Sequence, residues 1–499
     1  MRAIHLVPAA VVLVALGAIG GVARFGHSAA EPRPVSSRAA IRQVPVTSAA
    51  RACPPAPGGG AAPVALLAGA SSASNGRPGQ VELTALPPAG LAVHAAGPLR
   101  AQSPGALSLL TPPAAKATGK QTTTPAAQGW SVTGGGAMAQ GLEAELTQDS
   151  GLASIRCAEP GSDLWFLGPG QQNGGSQVQL DLMNVDSTAA SVDVSVINDG
   201  GQVEAGNDNG ITVPPHQTVT ESLSSVARGS GVVAIEVHTS IGRVAADVSA
   251  ESHGTTGWLP GTASPSTRLV IPGVPPSGST AGLFLADPGP STAKVTVTAI
   301  TPQGHISPFG SQSVDLPGQS ASYVALSPLG GTTAALQITS NVPVAASVVV
   351  PGNSGPGVLT AATAPISEQA IVAGNTSGAG MAASVLLSAP GAAARVRLTE
   401  IAPASHGGTS VTASQVVPVK AGRTLAAPVK APKGARHGSP FALVITPLHG
   451  SGPLYAARVE TQDHSVVSII PAASALTTIS LPPVRDSYDA ISPEGGPGG

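Results

Sequence analysis

The chain has 499 residues, of which 10% are charged and 2% aromatic, against a charged share of roughly 25% in ordinary soluble domains. The 62 Gly and 48 Pro exceed a fifth of the chain, close to the level of low-complexity disorder, yet an apolar content of 42% is too high for simple disorder. A formal net charge of −2 excludes nucleic acid as a partner, because there is no basic excess to displace counterions from phosphate.

Leu6 to Ala23 is an uncharged apolar run between Arg2 and Arg24. As a helix it would be about 27 Å long, enough for a hydrocarbon core of about 30 Å. Its length favours an uncleaved single-pass anchor; a signal peptide cleaved near Ser28-Ala29-Ala30, giving a secreted protein, is the alternative. Both place the bulk of the chain outside the cytoplasm. Residues 29–52 read as a flexible, Pro-bearing spacer.

The two cysteines, Cys53 and Cys157, then lie in a compartment where disulfides persist, and no C-x-x-C is present for zinc or redox chemistry. One structural bridge between them is expected. It closes a loop of 104 residues, for which chain entropy gives about 4.7 kcal/mol at most.

A short apolar strand ending in Gly recurs at Gly69, Gly168, Gly273 and Gly374, at separations of 99, 105 and 101 residues. After each comes a polar Gly/Ser stretch and an alternating strand, as in Val178-x-Leu180-x-Leu182 and Leu283-x-Leu285. Further on, Val192-x-Val194-x-Val196 answers Val295-x-Val297 and Val396-x-Leu398, the period of two that buries one face. Turn-bounded segments follow at 213–219, 316–322 and 419–425. Each copy closes with two strands, for which short loops such as Ser340-Asn-Val-Pro343 predict hairpins.

About 100 residues with some seven short strands suit an immunoglobulin-like β-sandwich. The expected fold is all-β: tandem sandwich units behind one N-terminal transmembrane helix. A β-propeller is the alternative, disfavoured because blades repeat at about 40 to 50 residues. The expected divisions are an anchor or signal peptide (1–28), the spacer (29–52), a divergent first unit (53–160), three further units (161–262, 263–365, 366–476) and a flexible tail (477–499). Within the first unit, 89–129 reads as a long loop or insertion.

Chemical motifs are sparse. Gly134 to Ala139 satisfies G-x-G-x-x-A, but aligning Met138 to Glu145 with the closing strands of the other copies makes it strand rather than a dinucleotide-binding helix. The eleven histidines are scattered, without His-x-x-x-His, and Gly-x-Ser-x-Gly is absent. Glu204 to Gly210 collects oxygen ligands but lacks the ordered spacing of a calcium loop, and reads as a turn. Asn375-Thr-Ser is a formal glycosylation acceptor. Trp165 and Trp258 stand near unit junctions, as wedges or, alternatively, sugar-stacking platforms. No catalytic residue, cofactor or metal is expected.

The stretch from Gly151 to Gly168, GLASIRCAEPGSDLWFLG, with Ala139 to Glu145 before it, resembles a family of exported, single-span actinobacterial envelope proteins classed as a domain of unknown function. The resemblance implies neither a catalytic residue nor a substrate. The expectation is a non-enzymatic, membrane-anchored extracytoplasmic envelope protein with a structural, scaffold or binding role. It contacts the cell membrane through residues 6–23 and meets an envelope protein or a glycan. A cell-envelope hydrolase and a glycan-binding module array are the alternatives.

Overall fold

The computed structural model describes residues 42–481, except for internal segments at 57–61, 71–77, 91–96, 114–127, 147–153, 171–176, 204–209, 253–254, 277–279, 309–312, 327–328, 330, 352–356, 377, 379 and 406–409. The expected anchor and the tail beyond residue 481 lie outside the described residues. Among the described residues, no helix is long and apolar enough to cross a membrane. The chain divides into a large compact unit, Pro45–Thr478, and a small one made of Met1–Val44 with Ile479–Gly499. In the small unit Gln43 Nε2 donates to Ser480 Oγ at 2.7 Å, beside the pairing of β1 (Arg42–Pro45) with the final strand, Thr478–Leu481.

The large unit is all-β and runs four times through the same strand plan. In the first copy, β2 (Ser48–Cys53), β4 (Gly79–Leu86), β5 (Leu99–Ala101) and β7 (Gly129–Gly136) form the sheet β2-β7-β4-β5. Opposite lie β3 (Val64–Leu67), β6 (Ser108–Leu110), β8 (Glu143–Leu146) and β9 (Ile155–Arg156), in the order β6-β3-β8-β9. The second copy repeats this with β10 (Asp163–Pro169), β12 (Ala190–Asn198) and β16 (Val232–Ile241) in one sheet. Its other sheet holds β11 (Gln177–Met183), β15 (Thr218–Ser222), β17 (Ala245–Ser252) and β18 (Thr255–Leu259).

The third copy pairs β20 (Ser266–Val274) and β22 (Ala293–Ile300) with the first half of β26 (Ala334–Val350). The second half of β26 joins β21 (Gly282–Asp287), β25 (Ser320–Ala325) and β27 (Val358–Ala361). In the fourth, β28 (Ala370–Asn375), β33 (Phe441–Pro447), β30 (Ala394–Pro403) and β31 (Ser410–Val419) face β32 (Arg423–Val429), β29 (Met381–Ala389), β34 (Tyr455–Gln462) and β35 (Ser465–Pro471). In every copy, then, the first, fifth and third main strands share one sheet, and the fourth, second, sixth and seventh the other.

Alternation explains the shared cores. In β12 the side chains of Val192, Val194 and Val196 are buried while the residues between them are half-buried. They meet Leu180, Leu182 and Val248 of the facing sheet. Each of the four copies has its own cluster of this kind. A propeller blade is a meander of sequence neighbours; here sheet neighbours are mostly not consecutive, and no propeller is present among the described residues.

Several sequence expectations need correction. The spacer expected at 29–52 ends in β1 and β2, and β2 is the first strand of the first copy, paired with β7 from Ser48↔Gly135 to Cys53↔Trp130. The sequence SAARAC lacks β-branched residues, which hid it. The Gly69 strand is therefore the second strand of its copy, one strand out of register with those ending at Gly168, Gly273 and Gly374. Residues 89–129 carry two short strands, β5 and β6. Ala137–Ala139 is a single 3-10 turn, and strand resumes only at Glu143. The predicted closing hairpins are absent, because the fifth and sixth strands lie in opposite sheets; around Ser340-Asn-Val-Pro343 the chain stays extended and passes directly between sheets as β26. The tail expected from 477 begins as strand, through Leu481.

The turns at 213–219, 316–322 and 419–425 are as read, with a left-handed residue at the same place in each: His216, Gln319 and Gly422, at φ of 53°, 54° and 65°.

The copies do not extend as a string. The first strand of each packs on the second sheet of the next: β2 on β17, β10 on β21 and β26, and β20 on β29, β34 and β35. The fourth copy does the same to the first, through β28 on β3 and β8. Apolar clusters fill each junction: Ala52 with Met183 and Ala245, Leu167 with Phe284, Ile271 with Ala457, and Ile371 with Ala65 and Leu67. Four sequential packings thus close into a cycle. The chain leaving each copy also bridges back to the free edge of that copy's first strand, at Ala52↔Ala158, Trp165↔Thr262, Val270↔Thr363 and Ala370↔Ser474.

The recurring glycine now has a cause. A Cβ at Gly168 would stand 3.1 Å from Leu359 of the next copy, and one at Gly273 would stand 2.6 Å from the Cβ of Ala457. Gly273 also has a φ of +99°. Gly273→Ala is expected to cost about 1 to 3 kcal/mol through overpacking and strain, read as a lowered denaturant midpoint; an unchanged midpoint would refute the junction argument. Cys53 and Cys157 form the expected disulfide, joining the end of β2 to the residue after β9. Replacing both by Ala should cost about 2 to 5 kcal/mol, measured by chemical denaturation.

Candidate functional site

The four copies surround one recess of about 390 Å³, and every copy contributes its seventh strand to the wall. Ile155 and Arg156 come from β9, Trp258 from β18, Leu359 from β27 and Val466 from β35, while β10 adds Leu164 and Phe166. A cavity of this size is within the range of about 300 to 1,000 Å³ that holds small molecules. Its lining is mostly apolar, with charged groups at Arg156, Glu159, Asp163 and Asp247 and hydroxyl side chains that include Thr262, Thr363 and Ser468.

Three buried polar atoms in lining residues have no hydrogen-bond partner among the described residues: Asp247 Oδ2, Trp258 Nε1 and Thr363 Oγ1. Such atoms are rare in a folded chain, because each costs about 1 to 3 kcal/mol of desolvation. Asp247 follows core-facing Ala246 on the sixth strand of its copy. The corresponding residues, after Ala144 and Ala346, are Glu145 and Ser347, and Ala457 takes this place in the fourth copy. Each reaches the first strand of the preceding copy. Ser347 Oγ donates to the Leu167 carbonyl at 2.6 Å, Gly374 N–H donates to Glu145 Oε2 at 2.9 Å, and Ala457 lies under Gly273.

Asp247 departs from this pattern. Directly across the sheet stands Asp181, itself buried and hydrogen-bonded by Thr220 Oγ1 at 2.6 Å. Burial, reinforced by Asp181, pushes the Asp247 carboxyl well above its ordinary value. Arg156 faces it but is committed elsewhere: its Nε and Nη2 donate to Glu143 at 2.7 and 2.6 Å. Glu143 also accepts from Arg51 Nη2 at 2.9 Å. Burial pushes Glu143 up, yet Arg156 and Arg51 together hold it below its ordinary value.

The junction that closes the cycle buries a second set of charges. Arg458 Nη2 donates to Glu145 Oε1 at 2.8 Å and Nη1 pairs with Glu460, all three side chains being within 2% of fully buried. Burial pushes Glu145 up to about 7, against the pull of Arg458 and with Glu460 adding to the rise. The folded chain therefore keeps a proton that the unfolded chain gives up from about 4.5 upward. This share of stability is full below about 4.5 and is lost as pH rises through about 7, and Asp247 acts with the same sign. The melting temperature should fall between pH of about 5 and about 8, and Glu145→Gln should flatten that slope. An equally steep slope in the variant would show that Glu145 is not its source.

Of the residues picked from sequence, Trp258 is a junction wedge, its ring packed with the first copy's Trp130 and Cys157. Trp165 is buried and donates from Nε1 to Asp163 Oδ1 at 2.9 Å. Both therefore line the recess rather than an exposed platform. Asn375 is fully buried, with Nδ2 donating to the Val372 and Phe441 carbonyls, so it is shielded from glycosylation. His216 sits in a turn and His238 on an exposed strand position. The expected turn at Glu204 to Gly210 lies mostly outside the described residues. No group of three or more metal-ligating side chains occurs among the described residues.

Sequence reading missed Asp247. Its only trace was the parallel between Ala-Ala-Asp-Val248 and Ala-Ala-Ser-Val348 in the closing strands, where polar residues look like ordinary outward positions.

Residues 114–430 match a family of unknown function (DUF5719), and the chain belongs to that family. The match takes in the last three main strands of the first copy and the whole of the second and third, and runs into the fourth. The family is thus defined by linked copies rather than by one. No curated protein matches the chain.

Proposed function

We propose that this member of the DUF5719 family is a non-enzymatic extracytoplasmic binding protein, tethered to the membrane through residues 6–23. Its immunoglobulin-like copies serve as the rigid frame of one ligand recess. The recess, with its mostly apolar lining and unpartnered buried polar atoms in three of its lining residues, is the observation that carries this reading.

The strand order supports the immunoglobulin-like description. First-fifth-third facing second-sixth-seventh parallels the B-E-D and C-F-G strands of that fold, with the A strand missing and its edge covered by the chain leaving the copy; the fourth strand, beside the second, departs from it, since it follows the strand in the D place instead of preceding it. A paired Cys53 and Cys157 suit an exported chain. For the hydrolase alternative, the described residues of the recess offer carboxyl groups but no histidine or cysteine, and two of the three carboxyls, Glu159 and Asp163, are engaged with neighbouring side chains. A glycan-binding array wants exposed aromatic faces, whereas Trp130, Trp165 and Trp258 are buried.

The location is tested by fractionating cells that express the full chain and treating intact spheroplasts with protease. The chain should sediment with membranes through a salt wash and be degraded from outside. Protection from external protease, or recovery in the soluble cytosol with both cysteines open to alkylation, would overturn the proposal.

A further inference from the structure

We propose that the recess takes an organic ammonium ion whose apolar body also carries a hydrogen-bond acceptor. This rests on the recess being a binding site and goes on to name what it binds.

Charge is the first constraint on the ligand. Three carboxyl residues line the recess, Glu159, Asp163 and Asp247, against a single guanidinium, that of Arg156. Two of the carboxyls are engaged: Glu159 faces Arg51 Nη2 at 3.4 Å, and Asp163 accepts from Trp165 Nε1 and from Ser264 Oγ. Arg156 is held by Glu143 in a two-point contact, so its charge is already compensated. What remains is Asp247, 4% exposed, with Oδ2 unpartnered. Its counterparts Glu145 and Ser347 are satisfied by the preceding copy, so the position fails only where it lines the recess.

A cationic nitrogen bearing N–H groups supplies the donor that Asp247 Oδ2 lacks, and its positive charge would draw this buried carboxyl into its ionised form. An anion would meet three carboxyls, and a pure hydrocarbon would leave Asp247 and Trp258 unpaired beneath it. Trp258 Nε1 is a donor only, so the second feature of the ligand has to be an acceptor such as an ester or amide oxygen. Leu164, Phe166, Leu359 and Val466 take the apolar body. The indole and phenyl groups in the same wall further favour a cation over its neutral analogue.

The test is calorimetry on the full chain in zwitterionic nanodiscs, with heats from empty nanodiscs subtracted. Octylammonium, octanol, octanoate and the ethyl ester of 8-aminooctanoic acid are the probes. Octylammonium should bind at least about tenfold tighter than octanol or octanoate, and Asp247→Asn should erase that preference. The amino ester should bind tighter still, and Trp258→Phe should remove only this last gain. Octanol or octanoate binding as well as octylammonium, or a preference that survives Asp247→Asn, overturns the ammonium assignment. If Asp247→Asn fails to fold, the ratio of octylammonium to octanol on the native chain decides the question.

Val466→Trp, which fills the recess, separates the two levels of the proposal. Octanol bound as tightly as octylammonium, and lost in this variant, would keep the recess as a site while rejecting its ammonium ligand. Absence of binding by all four probes at millimolar concentration would count against both.

Discussion

The architecture depends on one close approach repeated around the cycle: the backbone of a copy's first strand lying against the second sheet of the next. Two β layers ordinarily stand about 10 Å apart with side chains interleaved. At these junctions the outer strand gives up its side chain, at Gly168 and Gly273, or keeps only methyl groups, at Ala50 and Ala52. That choice sets how tightly each copy seats on its neighbour. The Gly and Ala richness that looked like marginal order in the composition is, at these positions, a condition for packing.

Close seating has an electrostatic side. When the outward face of a sixth strand is covered by another copy, whatever polar residue stands there loses water and must be satisfied by protein. The three covered polar positions are resolved differently. Ser347 bonds one carbonyl, Glu145 takes a backbone amide and a buried guanidinium, and Asp247 is left beside a cavity. Arg458 is the costliest of these arrangements, since a buried ion pair seldom repays its desolvation. It stands at the one junction the chain does not enforce by sequence neighbourhood, between the fourth copy and the first.

Much of the fold was legible in the sequence. Repeat length, alternation at Val192-Val194-Val196 and its counterparts, the turns and the cysteine pair could all be read from local pattern. What escaped was of two kinds. Strand β2 carries small side chains because its outer face is a junction, so the feature that makes it structural also removes its strand signal. The recess escaped because it belongs to no copy. Its walls come from seventh strands as short as Ile155–Arg156, brought together only by closure, and periodicity within a copy says nothing about which outward faces will be covered.

Closure also fixes how many copies the protein can have. An open array of sandwiches gains or loses a module at one end, with its remaining junctions undisturbed. Here every copy gives its first strand to one neighbour and receives another on its second sheet, leaving no free terminal face among the four. A fifth copy would force each junction to a new angle and widen the space at the centre. A copy could therefore not be inserted into this cycle singly without re-angling all four junctions, which ties the size of the central space to the number of copies around it.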